Sequence, residues 1–204
     1  MLDERIIFLN HGSFGACPRP VFEVYQDWQW RLELQPVRFL GRQAPQLLAE
    51  ARGVLGDYLN VPRNDVVFTT NPTTAINMVV RGLGLEPGDE ILTSTHEYGA
   101  MDRTWRYICG KTGAHYVQRQ IPLPVSTHLE FAERFLDGVT PRTKVIFLSH
   151  ITSQTALIFP VKEICRQARE MGILSIIDGA HAPGQIPLDL NEINADIYTG
   201  ACHK

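Results

Sequence analysis

KVIFLSH, residues 144–150, is a short run of β-branched and apolar residues between a lysine and a Ser-His pair. Four consecutive apolar residues suit a strand that is buried on both faces, as in a parallel sheet. A second run of the same kind, ILSIIDGA (173–180), follows after a segment with a helical pattern. These two runs predict a mostly parallel sheet at the centre of the fold.

Working outward, shorter β-branched runs predict four more strands: DVVFTT (65–70), DEILTST (89–95), AHYVQRQI (114–121) and ADIYTG (195–200). Apolar stripes at helical spacing predict helices between them, over residues 44–60, 73–84, 101–113, 126–138 and 160–172. Strands that alternate with helices of this length are typical of an α/β fold, with the sheet flanked by helices.

The ends of two of these helices carry recognisable signals. Gly84 is predicted as the C′ residue of the 73–84 helix, and Ser126 or Thr127 as the N-cap of the 126–138 helix. Residues 1–60 are mostly helical and precede the first predicted strand, so we expect them to form an N-terminal arm. Residues 61–204 are expected to form the α/β domain.

Composition limits the functional classes. The 204 residues are 44% hydrophobic and 20% charged, with a formal net charge of −3, which argues against a nucleic-acid binder. No apolar run reaches the roughly 20 residues that span a membrane. The opening, MLDERIIFLN, lacks the pattern of a signal peptide. The four cysteines form no C-x-x-C pair. We therefore expect a cytoplasmic protein with no membrane and no nucleic-acid partner.

Polar side chains follow the predicted strands at their carboxyl ends, where open α/β sheets bind ligands. They supply hydroxyls, an aromatic ring, carboxylates, imidazoles and one amine. The residues are Thr73, Thr74, His96, Glu97, Tyr98, Thr152, Ser153, Asp178, His181, Thr199, His203 and Lys204.

Several of these groups suit a phosphorylated aromatic aldehyde with a basic ring nitrogen. Thr73 and Thr74 begin a predicted helix, whose N–H groups and hydroxyls suit a phosphate. Tyr98 can stack on the ring. A ligand of this kind therefore finds a phosphate cradle and a stacking partner after two of the predicted strands.

The remaining groups suit the reactive part of that ligand. Asp178 ends the most apolar strand and can keep a ring nitrogen protonated, while His181 can donate to a phenolic oxygen. Lys204 can condense with the aldehyde. Together these features describe pyridoxal 5′-phosphate held as a lysine Schiff base.

Each residue also has an ordinary structural interpretation. The threonines could only cap a helix, the tyrosine could be half-buried packing, and the aspartate could brace a turn. The histidine could be a satisfied structural residue and the lysine a surface charge. The cofactor hypothesis rests on their coincidence at one edge of the sheet.

Two other kinds of site compete with this interpretation. His96, His181, Cys202 and His203 could converge on a metal, but no H-x-x-x-H or C-x-x-C spacing supports one, so no metal is predicted. A nucleotide site is disfavoured because neither G-x-G-x-x-G nor G-x-x-x-x-G-K-[ST] is present.

Six stretches resemble one known family. DGAHAPG (178–184) followed by DIYTGACHK (196–204) resembles the class V aminotransferase superfamily of pyridoxal-phosphate enzymes. The stretches that narrow the resemblance to the isopenicillin N epimerase-like branch, related to the cysteine desulfurases, are FLNHGSFGACP (8–18), TTNPTTAIN (69–77), HEYGAMDRTW (96–105) and SHITSQTALIFPV (149–161). The resemblance implies the large domain of a fold type I enzyme.

The resemblance also implies roles for the reactive residues. Lys204 is expected to form the Schiff base and then to carry the proton at the substrate α-carbon. Asp178 is expected to pair with the pyridine nitrogen, and His181 to contact the phenolic oxygen. Tyr98 occupies the stacking position.

Further roles concern the phosphate and the substrate. Thr73, Thr74 and His203 are expected to hold the phosphate, with help from Thr199. Asn10 and His11 are expected near the amino-acid substrate. These last assignments come from the resemblance alone. Ala201 departs from it, since related sequences often carry asparagine there, so one polar contact near the phosphate is in doubt.

The family continues beyond the Schiff-base lysine for a stretch about as long as this one. The resemblance therefore implies an N-terminal half that ends at Lys204, without the small C-terminal domain and its carboxylate-binding arginine. We expect such a fragment to be inactive and the full-length protein to be a homodimer.

The resemblance implies a parent enzyme that acts at the α-carbon of an amino acid, by epimerase- or aminotransferase-type chemistry. A cysteine desulfurase-like lyase is one alternative. A non-catalytic α/β remnant or partner-binding module is another.

Overall fold

The computed structural model describes residues 2–124 and 127–204. It divides into two compact units. The N-terminal unit extends to Phe68 and includes His203 and Lys204, and the sheet unit is Thr69–Cys202. The predicted division into an arm of residues 1–60 and an α/β domain of residues 61–204 stays a prediction.

The N-terminal unit is mostly helical, as expected for the arm. Its helices are α1 (His11–Phe14), α2 (Arg19–Leu34), α3 (Pro36–Arg38) and α4 (Ala44–Leu59), with a π-helical segment over Phe39–Gln43 and a 3₁₀ turn over Arg63–Asp65. Helix α4 confirms the prediction for 44–60 and ends at Asn60, whose φ of 55° is left-handed.

The predicted strand at 65–70 is wrong. Residues 66–70 are irregular, and no strand of the described sheet pairs with them. Val67 is 75% exposed and Phe68 47% exposed. A β-branched run forms a strand only where a neighbour completes its hydrogen-bond ladder, so its intrinsic preference does not decide its structure.

The other five predicted strands are confirmed. They are β1 (Glu90–Ser94), β2 (His115–Arg119), β3 (Thr143–Ser149), β4 (Leu174–Gly179) and β5 (Ile197–Gly200). Their order in the sheet is β2-β1-β3-β4-β5, and every neighbouring pair is parallel. All five carboxyl ends therefore lie at the same edge of the sheet.

Helix α5 (Pro72–Gly82) precedes the strands of the sheet unit, and further helices lie between them. The latter are α6 (Gly99–Thr112), α7 (His128–Leu136), α8 (Val161–Glu170) and the short α9 (Leu190–Ile193). Thr127 caps α7 by accepting the Glu130 N–H at 3.1 Å, while Ser126 lies outside the described residues. None of the helices described is both long and apolar enough to cross a membrane.

The predicted end of α5 needs correction. Helix α5 stops at Gly82, two residues before the predicted end, and Leu83 is its C-cap, so Gly84 does occupy the C′ position, but without the left-handed φ that a glycine often adopts there. Leu83 and Leu85 are partly buried against the core beneath α5. Burying these two side chains takes the chain out of the helix before the glycine is reached.

The core explains why residues 144–150 are apolar without interruption. Ile146 and Leu148 belong to one buried cluster, and Val145 and Phe147 belong to another. Because successive side chains of a strand point to opposite faces, β3 contributes to the core on both sides of the sheet. This is the arrangement that a parallel sheet covered by helices requires.

Candidate active site

Asp178 is the penultimate residue of β4, at the carboxyl edge of the sheet. It is paired in register with Ser149 of β3 and Thr199 of β5. It is 5% exposed. One carboxylate oxygen, Oδ1, accepts the Ala180 N–H at 3.0 Å and lies 3.4 Å from the Thr199 hydroxyl. The structure therefore holds a buried carboxyl group at the edge where ligands bind in such sheets.

Gly179 follows Asp178 because a neighbouring ring leaves no room for a side chain. A Cβ added at Gly179 would lie 2.2 Å from a ring carbon of Tyr198. The hydroxyl of Tyr198 is 2.7 Å from Nδ1 of His150. The glycine of the DGAH stretch is thus required for the close packing of β4 against Tyr198.

The His150–Tyr198 pair was not assigned by the sequence analysis. Burial lowers the pKa of His150 to about 4 and raises the pKa of Tyr198. Both side chains are therefore neutral near neutral pH. The main chain N–H of His150 donates to the Asp178 carbonyl at 2.9 Å, so this neutral pair packs beside the buried acid. In the sequence, His150 is marked only as the end of one predicted strand, and Tyr198 lies within another.

Thr73 and Thr74 lie in the first turn of α5, which contacts β4 and β5. The N-cap of this helix is Asn71, whose side chain accepts the Thr74 N–H at 2.8 Å. The structural interpretation in which the threonines cap the helix is therefore not supported. Their half-buried hydroxyls stand beside a helix N-terminus, where the helix dipole favours an anion.

Tyr98 precedes α6 and is 48% exposed, so about half of the residue is accessible to a ligand. Its main-chain carbonyl accepts the Met101 N–H at 2.8 Å, which fixes the start of the helix. His181 lies half-buried in the turn after β4, three residues beyond Asp178. The structure thus brings Tyr98, Asp178 and His181 to the carboxyl edge of the sheet, since they lie at or just beyond the carboxyl ends of β1 and β4.

Glu97 is a buried acid to which the sequence analysis gave no role. It is 1% exposed. Its Oε2 accepts the main-chain N–H and the hydroxyl of Ser149 at 2.8 and 2.7 Å, and its Oε1 accepts the Ser94 hydroxyl at 2.5 Å. A glutamate beside an exposed tyrosine looks like a surface residue in sequence, so only the tertiary fold identifies it.

The competing metal site is not supported. The Nε2 of His96 is 2.8 Å from the Ile121 carbonyl oxygen, and the residue is 8% exposed. It is therefore a satisfied core histidine. Within residues 2–124 and 127–204 the structure contains no group of three His, Cys, Asp or Glu side chains arranged for a metal ion.

The other predicted site residues lie in the N-terminal unit. His203 is exposed and Lys204 is half-buried. Asn10 accepts the Ser13 hydroxyl at 2.9 Å, and His11 meets the Phe8 ring edge-on at a centroid distance of 4.8 Å. Their assigned roles stay predictions.

Gly15 links the opening stretch to the end of the chain within this unit. Its φ is 71°, in the left-handed region, and an added Cβ would lie 1.5 Å from the His203 carbonyl oxygen. The FLNHGSFG segment therefore packs directly on the backbone beside Lys204, and it needs glycine to do so.

We expect the ionisation of Glu97 to make the stability of the protein depend on pH. Burial, with a smaller contribution from the charge of Asp178, raises the pKa of its carboxyl from 4.5 to about 7, against the opposing effect of the serine hydrogen bonds. Tyr116 also interacts electrostatically with it. The folded state then binds more protons than the unfolded state between these two pKa values. This contribution is fully present below about pH 4.5 and is lost as pH rises through about 7.

The matching variant is Glu97→Gln, which cannot ionise. Denaturant unfolding at a series of pH values should show wild type losing up to about 3 kcal/mol relative to this variant between pH 4.5 and 8. A constant difference between the two proteins over that range would contradict the assignment.

Comparison with known proteins gives the family. Residues 17–204 match the model described as aminotransferase class-V. The chain is 37% identical to isopenicillin N epimerase of Streptomyces clavuligerus, over all of this chain and 51% of that protein. It is 29% identical to a probable chloroplastic L-cysteine desulfhydrase of Arabidopsis thaliana, over 99% of this chain and 46% of that protein. The chain thus spans about half the length of these relatives.

Solved structures agree with this assignment. The complex between the cystine C–S lyase C-DES and its reaction product cysteine persulfide has a TM-score of 0.88 at 27% identity, covering 97% of this chain and 53% of that chain. A C-DES mutant with glycine covalently linked to its PLP cofactor has a TM-score of 0.85 at 26% identity, covering 96% of this chain and 52% of that chain. With the parallel sheet, the buried Asp178 at its carboxyl edge and the family match over residues 17–204, the chain belongs to the class V aminotransferase family.

Proposed function

We propose that the intact protein is a pyridoxal-phosphate-dependent enzyme that acts at the α-carbon of an amino acid. The observation that supports this most directly is the buried carboxyl of Asp178, which lies at the carboxyl edge of a parallel sheet and accepts the Ala180 N–H. Family membership supports it independently.

The donor set of the sheet unit fits this cofactor. The N-terminus of α5 with two threonine hydroxyls suits a phosphate, the exposed ring of Tyr98 suits stacking, and Asp178 suits a protonated ring nitrogen. When bound, pyridoxal phosphate supplies an electron-poor ring that stabilises negative charge at the α-carbon of the attached amino acid.

The residues of the sheet unit would bind and orient the cofactor. Thr73 and Thr74 would donate to the phosphate, helped by Thr199 and His203. Asp178 would hold the proton on the ring nitrogen, since a buried carboxylate favours the cationic form of its partner. His181 would donate to the phenolic oxygen, and Tyr98 would stack on the ring.

Lys204 would perform the proton transfers. Its amine would hold the cofactor through the aldehyde and, with the amino-acid substrate bound, would take the proton from the α-carbon. Return of a proton to the opposite face of that carbon would invert its configuration, as in an epimerase. Delivery of the proton elsewhere than to that carbon would suit transamination. Asn10 and His11 would lie near the substrate.

A lyase that acts on cysteine is the second candidate. It is favoured by the similarity to the L-cysteine desulfhydrase of Arabidopsis thaliana and to the cystine C–S lyase C-DES. Both candidate activities require the amine of Lys204 and loss of the α-proton of the substrate. They therefore share the assignments of Asp178 and Lys204. Cytoplasmic location and assembly as a homodimer also stay proposals.

The test uses the intact protein, loaded with pyridoxal phosphate and incubated in D₂O with a panel of L- and D-amino acids. Exchange of the α-proton, followed by ¹H NMR, is expected for at least one of them. Chiral chromatography, a 2-oxo acid assay and a sulfide assay then separate epimerisation, transamination and lyase activity. A protein that takes up the cofactor but neither exchanges an α-proton nor releases sulfide would favour a non-catalytic module.

A further inference from the structure

Glu97 ties together two parts of the proposed cofactor site. It is the residue immediately before Tyr98, and its carboxyl is hydrogen-bonded to both the N–H and the hydroxyl of Ser149. Ser149 is the register partner of Asp178 on the next strand. One side chain therefore connects the turn that presents the exposed tyrosine to the strand end that flanks the buried aspartate.

The same turn is fixed from two other directions. The Ser94 hydroxyl donates to Glu97 at 2.5 Å and accepts the His96 N–H at 3.1 Å. The ring of His96 is 2.8 Å from the Ile121 carbonyl oxygen. The turn between β1 and α6 is thus held to β1, to β3 and to the segment after β2, all through buried polar contacts.

Holding a turn with a buried carboxyl group has a high free-energy cost. Removing an acid from water carries a large desolvation cost, which burial of Glu97 shows in its raised pKa. An apolar contact would hold the same turn without that cost. The acid differs from an apolar contact because hydrogen bonds are directional. Its two oxygens accept three hydrogen bonds and so fix the position of the backbone that leads to Tyr98.

We propose that Glu97 is a positioning residue that sets the gap between the ring-stacking side chain of Tyr98 and the ring-nitrogen partner Asp178. This inference rests on the proposed function, since it assigns Glu97 a task only if a flat ring occupies that gap. The width of the gap matters because a stacked ring must lie at van der Waals distance from Tyr98 while its nitrogen reaches Asp178.

Glu90 offers a matched control in the same strand. It is also a buried acid, 5% exposed, but it lies at the opposite, amino end of β1. It accepts hydrogen bonds from Thr140 at 2.5 Å and from Arg142 at 2.7 and 3.0 Å. Replacing it should destabilise the sheet without changing the carboxyl edge.

The experiment titrates pyridoxal phosphate into the apo form of the intact protein and measures Kd from absorbance and the circular dichroism induced in the bound cofactor. Glu97→Ala should raise Kd by about tenfold or more and weaken the induced signal, as expected for loss of the two buried hydrogen bonds to Ser149. Glu90→Ala, at a comparable loss of stability to denaturant, should leave Kd and the signal close to wild type.

Two conservative variants separate positioning from simple folding. Glu97→Gln retains an oxygen for Ser149, and its amide can donate to the Ser94 hydroxyl, so it should recover most of the affinity lost in Glu97→Ala. Ser149→Ala removes one of the two bonds to β3, and we expect it to raise Kd by roughly threefold. If Glu97→Ala does not fold, the Kd of Ser149→Ala tests whether Glu97 is a positioning residue.

Several outcomes would overturn the inference. A Kd in Glu97→Ala no larger than that in Glu90→Ala would assign Glu97 to stability alone, as would a wild-type Kd in Ser149→Ala where Glu97→Ala does not fold. If wild type itself failed to bind pyridoxal phosphate, the proposed function would be wrong. That result is distinct from failure of the inference about Glu97, which shows only as a difference in Kd between variants.

Discussion

Lys204→Ala in the intact, cofactor-loaded protein is expected to lower kcat for α-proton exchange by about 10³-fold. The amine of Lys204 has two tasks in the proposed mechanism: it attaches the cofactor and then carries the α-proton. Alanine can do neither. The loss should fall on kcat, because the phosphate and ring contacts that bind the cofactor come from other residues. Solvent-exchange rates measured by ¹H NMR give the number directly.

Two controls accompany this variant. Lys111→Ala removes another lysine, one that lies over the Tyr107 ring on the outer surface of α6, and should leave the rate unchanged. Added methylamine should restore part of the rate to Lys204→Ala, since a free amine can accept the α-proton. Retention of more than about a tenth of wild-type activity without added amine would remove Lys204 from its assigned role.

Asp178→Asn is expected to lower kcat/KM for the same exchange by about 10²-fold. Asparagine has nearly the same shape but carries no charge, so it cannot keep a ring nitrogen protonated. Asparagine Oδ1 can still accept the Ala180 N–H, and the turn after β4 should therefore be preserved. Cofactor affinity, measured by titration, should fall much less than activity because the phosphate contacts remain.

The matched control for this variant is Asp196→Asn. Asp196 accepts the N–H and the hydroxyl of Ser175 at 2.8 and 2.7 Å, at the other end of the same strand pair. It should reduce stability without a change in kcat/KM of the folded protein. Equal losses of activity in the two variants would mean that Asp178 acts only through the fold.

Asp178→Asn also provides a signature that does not depend on catalysis. The negative charge of Asp178 contributes to the raised pKa of Glu97. Removing that charge should lower the pKa of Glu97, so the loss of stability that begins above pH 4.5 should be complete at a lower pH than in wild type.

Much of the sheet could be predicted because burial leaves a strong pattern. The run at 144–150 has apolar residues at successive positions, which only a strand covered on both faces can accommodate, and β3 is such a strand. The run at 65–70 has a similar composition, yet it remains irregular. The difference is the partner strand, which no local pattern reports.

The site could be predicted where a residue type is tied to a strand end. Asp178, Thr73 and Tyr98 follow strands or begin helices, and parallel strands bring such positions to one edge. Glu97 and His150 occupy equivalent positions and yet received no role. Their importance comes from burial and from partners about 50 residues away along the chain, Ser149 and Tyr198.

The sequence by itself determined the class of fold, the parallel sheet and the resemblance to one enzyme family, because hydrophobic periodicity and short motifs are local properties of the chain. The tertiary structure alone decided that residues 66–70 form no strand, that Asn71 rather than a threonine caps α5, and that Glu97 is buried against Ser149. Each of these depends on contacts between distant segments, and the free energies of pairing and burial exceed the local preferences that a sequence displays.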